Sequence, residues 1–171
     1  MTDELREHWL KAIERAEVRS GLESVYEAAA VEIAARGPAC WASGRCCNFE
    51  RTGHRLYVTG LEAAYTVSGL PQIAGTRVGN YPDASLRPLA LAQAKERGGC
   101  PFQVQNLCGV HAIKPLGCRM YFCHRSAQAW QQELSEKLLA EIRGLHDRFA
   151  VEYRYGEWRE MLATFVSGIP R

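Results

Sequence analysis

Hydrophobic residues recur every three or four positions over several stretches of the chain, the spacing that places them on one face of a helix. The pattern predicts a first helix over 5–18. A capping box from Ser20 to Glu23 predicts the start of a second helix, which Gly37 and Pro38 end. Two amphipathic helices therefore precede the first cysteine.

The longest helical pattern begins near Ser126 and opens a helical C-terminal part over about 126–169. Its apolar positions are Trp130, Leu134, Leu138, Ile142, Leu145 and Phe149. Shorter patterns predict a last helix over 157–166 and a helix over 85–97 with Pro88 in its first turn. Because tryptophans bury large areas, those of the predicted helices are expected in the core: Trp9, Trp130 and Trp158.

The middle of the chain lacks long helical patterns. A short strand is predicted over 54–58. The stretch Thr59–Glu62 forms a second capping box, which opens a short helix that Gly69 and Pro71 end. The role of Glu62 is therefore predicted to be structural rather than catalytic.

The remaining segments contain all the cysteines or have the composition of loops. Residues 38–53 and 72–83 are rich in small, polar and turn-forming residues. Residues 100–123 mix apolar and turn residues, which predicts short irregular strands or a hairpin rather than a helix. The predicted fold class is mainly α, with helices packed around a cysteine-bearing loop and a short irregular β-hairpin, in one domain over 1–171.

Charge and hydropathy exclude several classes of partner. The net charge of +2 comes from 21 basic and 19 acidic residues spread along the chain, so no nucleic-acid footprint is indicated. No run approaches the about 18 apolar residues that span a membrane, and the acidic N-terminus is unlike a signal peptide. We therefore expect a cytoplasmic protein, and the sequence identifies no protein or small-molecule partner.

The seven cysteines form two tight groups rather than being scattered as small core residues. Thiols in a reducing compartment are metal ligands or redox groups more often than disulfides. Short separations let several sulfurs converge on one centre. The predicted metal ligands are Cys40, Cys46, Cys47, Cys100, Cys108, Cys118 and Cys123.

The residues around these cysteines resemble a known family. The relevant stretches are Cys40-Trp41-Ala42-Ser43-Gly44-Arg45-Cys46-Cys47, Cys100-Pro101-Phe102, Cys108-Gly109-Val110-His111 and Lys114-Pro115-Leu116-Gly117-Cys118-Arg119-Met120-Tyr121-Phe122-Cys123. They are similar to the YkgJ-type cysteine-cluster family of zinc- or iron-chelating domains with a CxxCxxCC-like pattern. Flagellin lysine N-methylase, an iron–sulfur protein, is a distant relative of that family. The resemblance covers about 38–123 and implies a metal-binding region there.

One departure from the family pattern affects the ligand set. The family often has a further cysteine at the position of Ser43, and a hydroxyl is a poor substitute for a thiolate on zinc or iron. Either the seven cysteines suffice, or a nitrogen or oxygen donor takes that place. The nearest histidines are His111 and His124.

Three functions remain open from the residues alone. An iron–sulfur cluster would support redox chemistry or, by the resemblance, methyl-transfer-like group transfer, although no glycine-rich nucleotide-binding stretch follows a predicted strand. A zinc-binding structural or interaction module would need no catalytic residue. Thiol–disulfide chemistry is disfavoured because the chain has no C-x-x-C pair. The spacing does not decide between iron–sulfur and zinc, and enzymatic activity is left open.

Overall fold

The computed structural model describes residues 2–40, 42–73, 86–123 and 125–166. Its helices are α1 (Thr2–Glu14), α2 (Ala16–Arg36), α3 (Phe49–Thr52), α4 (Gly60–Ile73), α5 (Pro88–Glu96), α6 (Leu116–Met120), α7 (Arg125–Arg148) and α8 (Trp158–Ala163). Its strands are β1 (Tyr57–Thr59), β2 (Gln103–Val104), β3 (Leu107–Cys108) and β4 (Tyr155–Glu157). The mainly helical fold with small antiparallel strand pairs confirms the predicted fold class. Trp41, His124 and most of the predicted loop over 72–83 lie outside the described residues.

Two of the three tryptophans that the sequence places in the core are buried there. Trp9 and Trp158 are almost fully buried, as predicted, whereas Trp130 is only partly buried beneath the guanidinium of Arg36. Helix α1 packs on α4 where Gly60 faces the indole of Trp9. A Cβ at Gly60 would lie within 2.0 Å of that ring, so only glycine permits this approach.

The boundary between the first two helices lies at Arg15, earlier in the chain than predicted. Helix α2 begins at Ala16, and Ser20 lies inside it, so the predicted start at the Ser20 capping box is wrong. Arg15 has an extended conformation, and its carbonyl accepts the first helical hydrogen bonds of α2. The predicted end is confirmed: Gly37 has φ +55° and donates to Ile33 O at 3.0 Å.

Helix α4 begins as predicted but continues further. Thr59 N and Thr59 Oγ1 both donate to Glu62 Oε2, at 2.8 and 3.0 Å, which confirms the capping box. The predicted end at Gly69 and Pro71 is wrong, since α4 contains Pro71 and runs to Ile73. The proline removes one helical hydrogen bond, while Leu70 and Ile73 remain buried on either side of it. Their burial offsets that loss.

A hairpin forms in the second cysteine segment, as predicted. Strands β2 and β3 pair antiparallel, and the two residues between them, Gln105 and Asn106, both have positive φ, as tight hairpin turns require. The prediction that this segment lacks a helix is wrong, because α6 follows the hairpin. The signal was missed because α6 has five residues, too few for a helical period.

The C-terminal part combines a confirmed helix with an unpredicted strand. Helix α7 agrees with the predicted longest helix, whereas α8 ends at Ala163 and is shorter than predicted. The residues before α8 form β4, which pairs antiparallel with β1 in the register Val58↔Gly156. In the part of the chain that the structure describes, no helix has the length and apolar composition needed to cross a membrane.

Candidate metal centre

Main-chain contacts join the two cysteine segments. Cys100 N donates to Cys47 O at 2.8 Å. The carbonyl of Gly44 accepts the side-chain amides of Asn48 at 2.8 Å and Gln103 at 3.1 Å. Gly44 has φ +70°, and a Cβ there would lie 2.5 Å from the Gln103 amide nitrogen. The first cysteine loop and the hairpin can therefore approach closely only with glycine at this position.

Helix α4 fixes the position of the segment that carries Cys118. Glu62 Oε1 accepts a 2.8 Å hydrogen bond from Leu116 N, the first residue of α6. Thr66 Oγ1 donates to Ile113 O at 2.8 Å. Sequence reasoning identified Glu62 as a helix cap and missed its second partner, because a backbone N–H 54 residues away leaves no pattern in the sequence.

Six of the seven cysteines line one cavity of about 530 Å³. The cavity lies between the C-terminal half of α2 and the two cysteine segments. The six are Cys40, Cys46, Cys47, Cys108, Cys118 and Cys123. The seventh, Cys100, is buried next to Cys47 and is not part of the cavity wall. The structure therefore gathers all seven residues in one region, while their ligation of a metal stays a prediction.

Some sulfur atoms lie near one another, but among the described residues they do not surround a common point at metal-binding distance. Cys46 Sγ and Cys47 Sγ are 4.0 Å apart, close to the about 3.8 Å between sulfurs bound to one tetrahedral zinc ion. The side chains of these two adjacent residues therefore lie close enough for both sulfurs to bind one ion. Among the described residues, however, no three Cys, His, Asp or Glu side chains meet as a ready metal-binding group. Side-chain rotation would be needed for four sulfurs to reach a common centre.

Two thiols of the cavity wall, those of Cys46 and Cys47, interact with the buried thiol of Cys100. Hydrogen bonding with Cys100, then with Cys46, together with burial, raises the pKa of Cys47. Hydrogen bonding from Cys47 in turn lowers the pKa of Cys46 to about 6 and also lowers the pKa of Cys100. Cys47 therefore stays protonated, and its single S–H can stabilise the thiolate form of one neighbour at a time. Thiolates are the form in which cysteine binds metals.

The other buried thiols behave differently. Burial, reinforced by the charge of Cys100, raises the pKa of Cys108 to about 11 and that of Cys118 well above its ordinary value. Both therefore carry protons at neutral pH in the metal-free protein. A metal that binds them must displace those protons, so its affinity would rise with pH.

Two basic side chains line the cavity, and its wall of described residues contains no Asp or Glu. Lys114 Nζ lies 3.0 Å from His111 Nε2. Arg119 donates to Lys114 O at 2.8 Å and to Ala112 O at 3.0 Å, and its guanidinium carbon lies 4.1 Å from the ring centroid of Tyr26. The two cations would offset the negative charge of clustered thiolates.

A buried hydrogen-bond donor near Cys100 fits a thiolate ligand. The indole Nε1 of Trp158 is buried and has no hydrogen-bond partner among the described residues. Trp158 is nevertheless one of the groups, after Cys47, that lower the pKa of Cys100. Because the indole N–H forms no hydrogen bond with Cys100 in this structure, it would stabilise a thiolate there only after a small shift of the side chains. The soft donor set therefore fits zinc or iron.

Ser43, the position at which the resemblance leads one to expect a further cysteine, lies on the cavity wall. Ser43 Oγ is 4.0 Å from Cys123 Sγ, and His111 lines the same cavity. Burial, together with the charge of Lys114, lowers the pKa of His111 and favours the neutral ring, whose Nε2 accepts from Lys114 Nζ at 3.0 Å and would have to release it to bind a metal. His124, the other candidate, lies outside the described residues. Replacement of the missing thiolate by His111 stays a prediction.

Comparisons with known proteins leave the family unassigned. No protein-family model matches the chain, and neither the curated proteins nor the solved structures give a significant match. The resemblance to the cysteine-cluster family therefore rests on the quoted stretches alone.

Proposed function

We propose that the chain is a metal-binding protein whose clustered cysteines hold an iron–sulfur cluster, with zinc as the alternative metal. The observation that carries the proposal is the convergence of cysteines from two segments, separated by 52 residues, on one cavity. Random placement of small core residues would not direct so many thiols to a single wall.

The number of sulfurs favours a cluster over a single ion. A structural zinc site closes with four ligands around one ion. Here six cysteines line the cavity of about 530 Å³ and Cys100 is buried next to Cys47, which is more thiols than the four ligands of one zinc ion. Four thiolates complete a [4Fe–4S] cluster.

The chain's own groups would stabilise such a centre. Lys114 and Arg119 line the cavity and would offset thiolate charge. When bound, a cluster supplies redox chemistry, or an iron position open to another ligand if only three cysteines coordinate it. The proposed compartment is the cytoplasm, because reduced thiols persist there as metal ligands.

Anaerobic purification followed by metal analysis tests the proposal. The wild-type chain is expected to be brown and to contain iron and acid-labile sulfide, with broad visible absorption. A triple variant, Cys46→Ser, Cys47→Ser and Cys100→Ser, should lose that absorption, while a Cys-retaining control, Ser24→Ala, should keep it. Colourless protein with stoichiometric zinc would support the zinc alternative. A folded wild-type protein that retains neither metal, even after anaerobic reconstitution, would contradict both.

A further inference from the structure

A second cavity flanks α6 on a different side from the sulfur-lined one. Gly117 and Met120 line it, whereas Cys118 and Arg119 of the same helix line the candidate metal centre. The volume of the second cavity is about 310 Å³, at the lower end of the range for small-molecule sites. None of the described residues in its wall is a cysteine, so a ligand there would not depend on the metal.

Two tyrosine rings in the second cavity leave a large area open to solvent. Tyr57 on β1 and Tyr155 on β4 stack with 5.8 Å between ring centroids and 29° between ring planes, and both line the cavity. They are 42% and 45% exposed. In the part of the chain that the structure describes, they are the only aromatic residues among the exposed large apolar side chains. Because aromatic rings usually bury most of their area, two exposed rings side by side indicate a contact surface for another molecule.

The backbone around these rings is fixed without a ligand. Strands β1 and β4 pair antiparallel in a register that places the two tyrosines on one face as diagonal neighbours. Helix α6 packs closely on the residue before β1, because a Cβ at Gly117 would lie 2.5 Å from Leu56 Cδ1. Tyr121, which lines both cavities, contacts His54 with 4.2 Å between ring centroids. The aromatic surface is therefore preformed, as small-molecule sites usually are.

The polar groups of the wall supply one cation and two unused amide groups. Arg55 is exposed and is the only charged side chain of the described wall at neutral pH, since burial lowers the pKa of His54 and no Asp or Glu is present. Gln131 Oε1 accepts a backbone N–H at 3.3 Å, and its NH₂ group has no partner among the described residues. Gln132 Nε2 donates to Glu136 at 3.1 Å, which leaves its carbonyl oxygen available. The wall therefore suits an anion with hydrogen-bonding groups.

We propose that the second cavity binds a mononucleotide, with the base stacked on the rings of Tyr57 and Tyr155 and the phosphate paired with Arg55. Bases stack on aromatic side chains, and arginine binds phosphate through charge-assisted hydrogen bonds. The amide donor of one glutamine and the amide acceptor of the other match the donors and acceptors on the edge of a base. A nucleic-acid strand would need a row of cations along its backbone, whereas this wall supplies one. The site goes beyond the proposed metal-binding function and does not rest on it.

Calorimetric titration of the full chain with AMP tests the site. Adenosine has the same base without the phosphate, and ribose 5-phosphate has the phosphate without the base. AMP is expected to bind saturably and about tenfold more tightly than either, because only AMP contacts both the rings and the arginine. Arg55→Gln should weaken AMP binding about tenfold and leave adenosine binding unchanged. The double variant Tyr57→Leu, Tyr155→Leu should weaken the binding of both.

Matched variants outside the wall serve as controls. Arg51→Gln removes an exposed cation, and Tyr153→Leu removes a ring that packs on His146 instead. Both should leave AMP affinity unchanged. Metal content is measured on every sample, so that binding of the phosphate to the metal can be recognised.

Three results would overturn the nucleotide site and leave the proposed metal function standing. The first is equal affinity for AMP and ribose 5-phosphate, or AMP binding that Arg55→Gln does not weaken. The second is AMP binding that follows the metal content of the samples instead of the variants in the wall. The third is an oligoadenylate that binds far more tightly than AMP, which would identify a nucleic-acid strand as the partner.

Discussion

The carboxylate of Glu62 accepts a hydrogen bond from the backbone N–H of Leu116 at 2.8 Å while its other oxygen caps α4. One side chain, only 1% exposed, therefore accepts the N–H of Thr59, the residue before α4, and the first N–H of α6, far away in sequence. Since Cys118 lies on the second of these helices, the position of one predicted ligand depends on a residue outside both cysteine segments.

Replacing Glu62 with glutamine should destabilise the fold and impair metal retention together. The amide keeps one acceptor oxygen but turns an NH₂ group toward either Thr59 N or Leu116 N, leaving a buried donor unpaired. We expect the free energy of unfolding to fall by about 1–3 kcal/mol in urea denaturation. Glu23→Gln, which alters an exposed acid, is the control. Unchanged stability would show that the shared cap is unimportant.

Alanine at Gly44 should disturb the contact between the first cysteine loop and the hairpin. Both Gly44 and Gly53 have positive φ, so alanine strains the backbone at either position, at about 1–3 kcal/mol. A Cβ at Gly44 also collides with Gln103, whereas a Cβ at Gly53 meets nothing within 4 Å. Thermal denaturation is therefore expected to show a larger loss for Gly44→Ala, and only that variant should lose metal. Equal losses would argue against the contact.

Serine at Cys100 or Cys118 should lower metal content and stability in parallel. A metal bound only to the folded state adds to stability by mass action, and a hydroxyl cannot replace a thiolate on iron or zinc. Elemental analysis and the melting temperature are measured on the same samples. Ser43→Ala, which removes a hydroxyl from the same cavity, should retain the metal. A Cys118→Ser protein with wild-type metal content would remove that residue from the ligand set.

The buried His146 should make stability fall in mild acid. Burial lowers its pKa, and Nδ1 donates to Val151 O at 3.1 Å and Glu152 O at 3.2 Å, so the folded protein holds a neutral ring. Because the unfolded chain binds a proton more readily, this contribution is complete above about pH 6.5 and is lost as pH falls below it.

Asparagine at position 146 separates this titration from other acid effects. The amide of His146→Asn can still donate to the two carbonyls but does not titrate, so the slope of unfolding free energy against pH should flatten between about pH 5 and 7. His8→Asn is the comparison, since His8 accepts from Glu152 N in an exposed contact. An unchanged slope in the position-146 variant would assign the acid sensitivity to another group.

Local signals in the sequence predicted local structure. The Thr59–Glu62 capping box, the Gly37 helix end and the burial of Trp9 each depend on residues close together in the chain or on one helical face. Pairing of β1 with β4 was missed because it joins residues about a hundred positions apart in three-residue strands. The predicted end of α4 at Pro71 was wrong because the burial of Leu70 and Ile73 stabilises the helix beyond the proline.

At the candidate site, too, features local in sequence were predicted and contacts between distant segments were not. Clustering in the sequence predicted that the seven cysteines come together, and the structure gathers them in one region, while their role as metal ligands stays a prediction. The sequence could not predict that α2 lines the cavity. Tyr26 and Ile33 lie on the apolar face of this helix, and the same pattern would result if that face covered the core or a cavity.

The 2.8 Å link from Cys100 N to Cys47 O bears on how metal would enter. It is made of peptide groups, as is the 3.0 Å bond from Glu50 N to Gly98 O, so neither depends on any sulfur. Both bonds hold the backbones of neighbouring loops at a fixed distance without any contribution from a side chain. A metal that binds here would then have to reorient cysteine side chains on a backbone whose two halves are already joined.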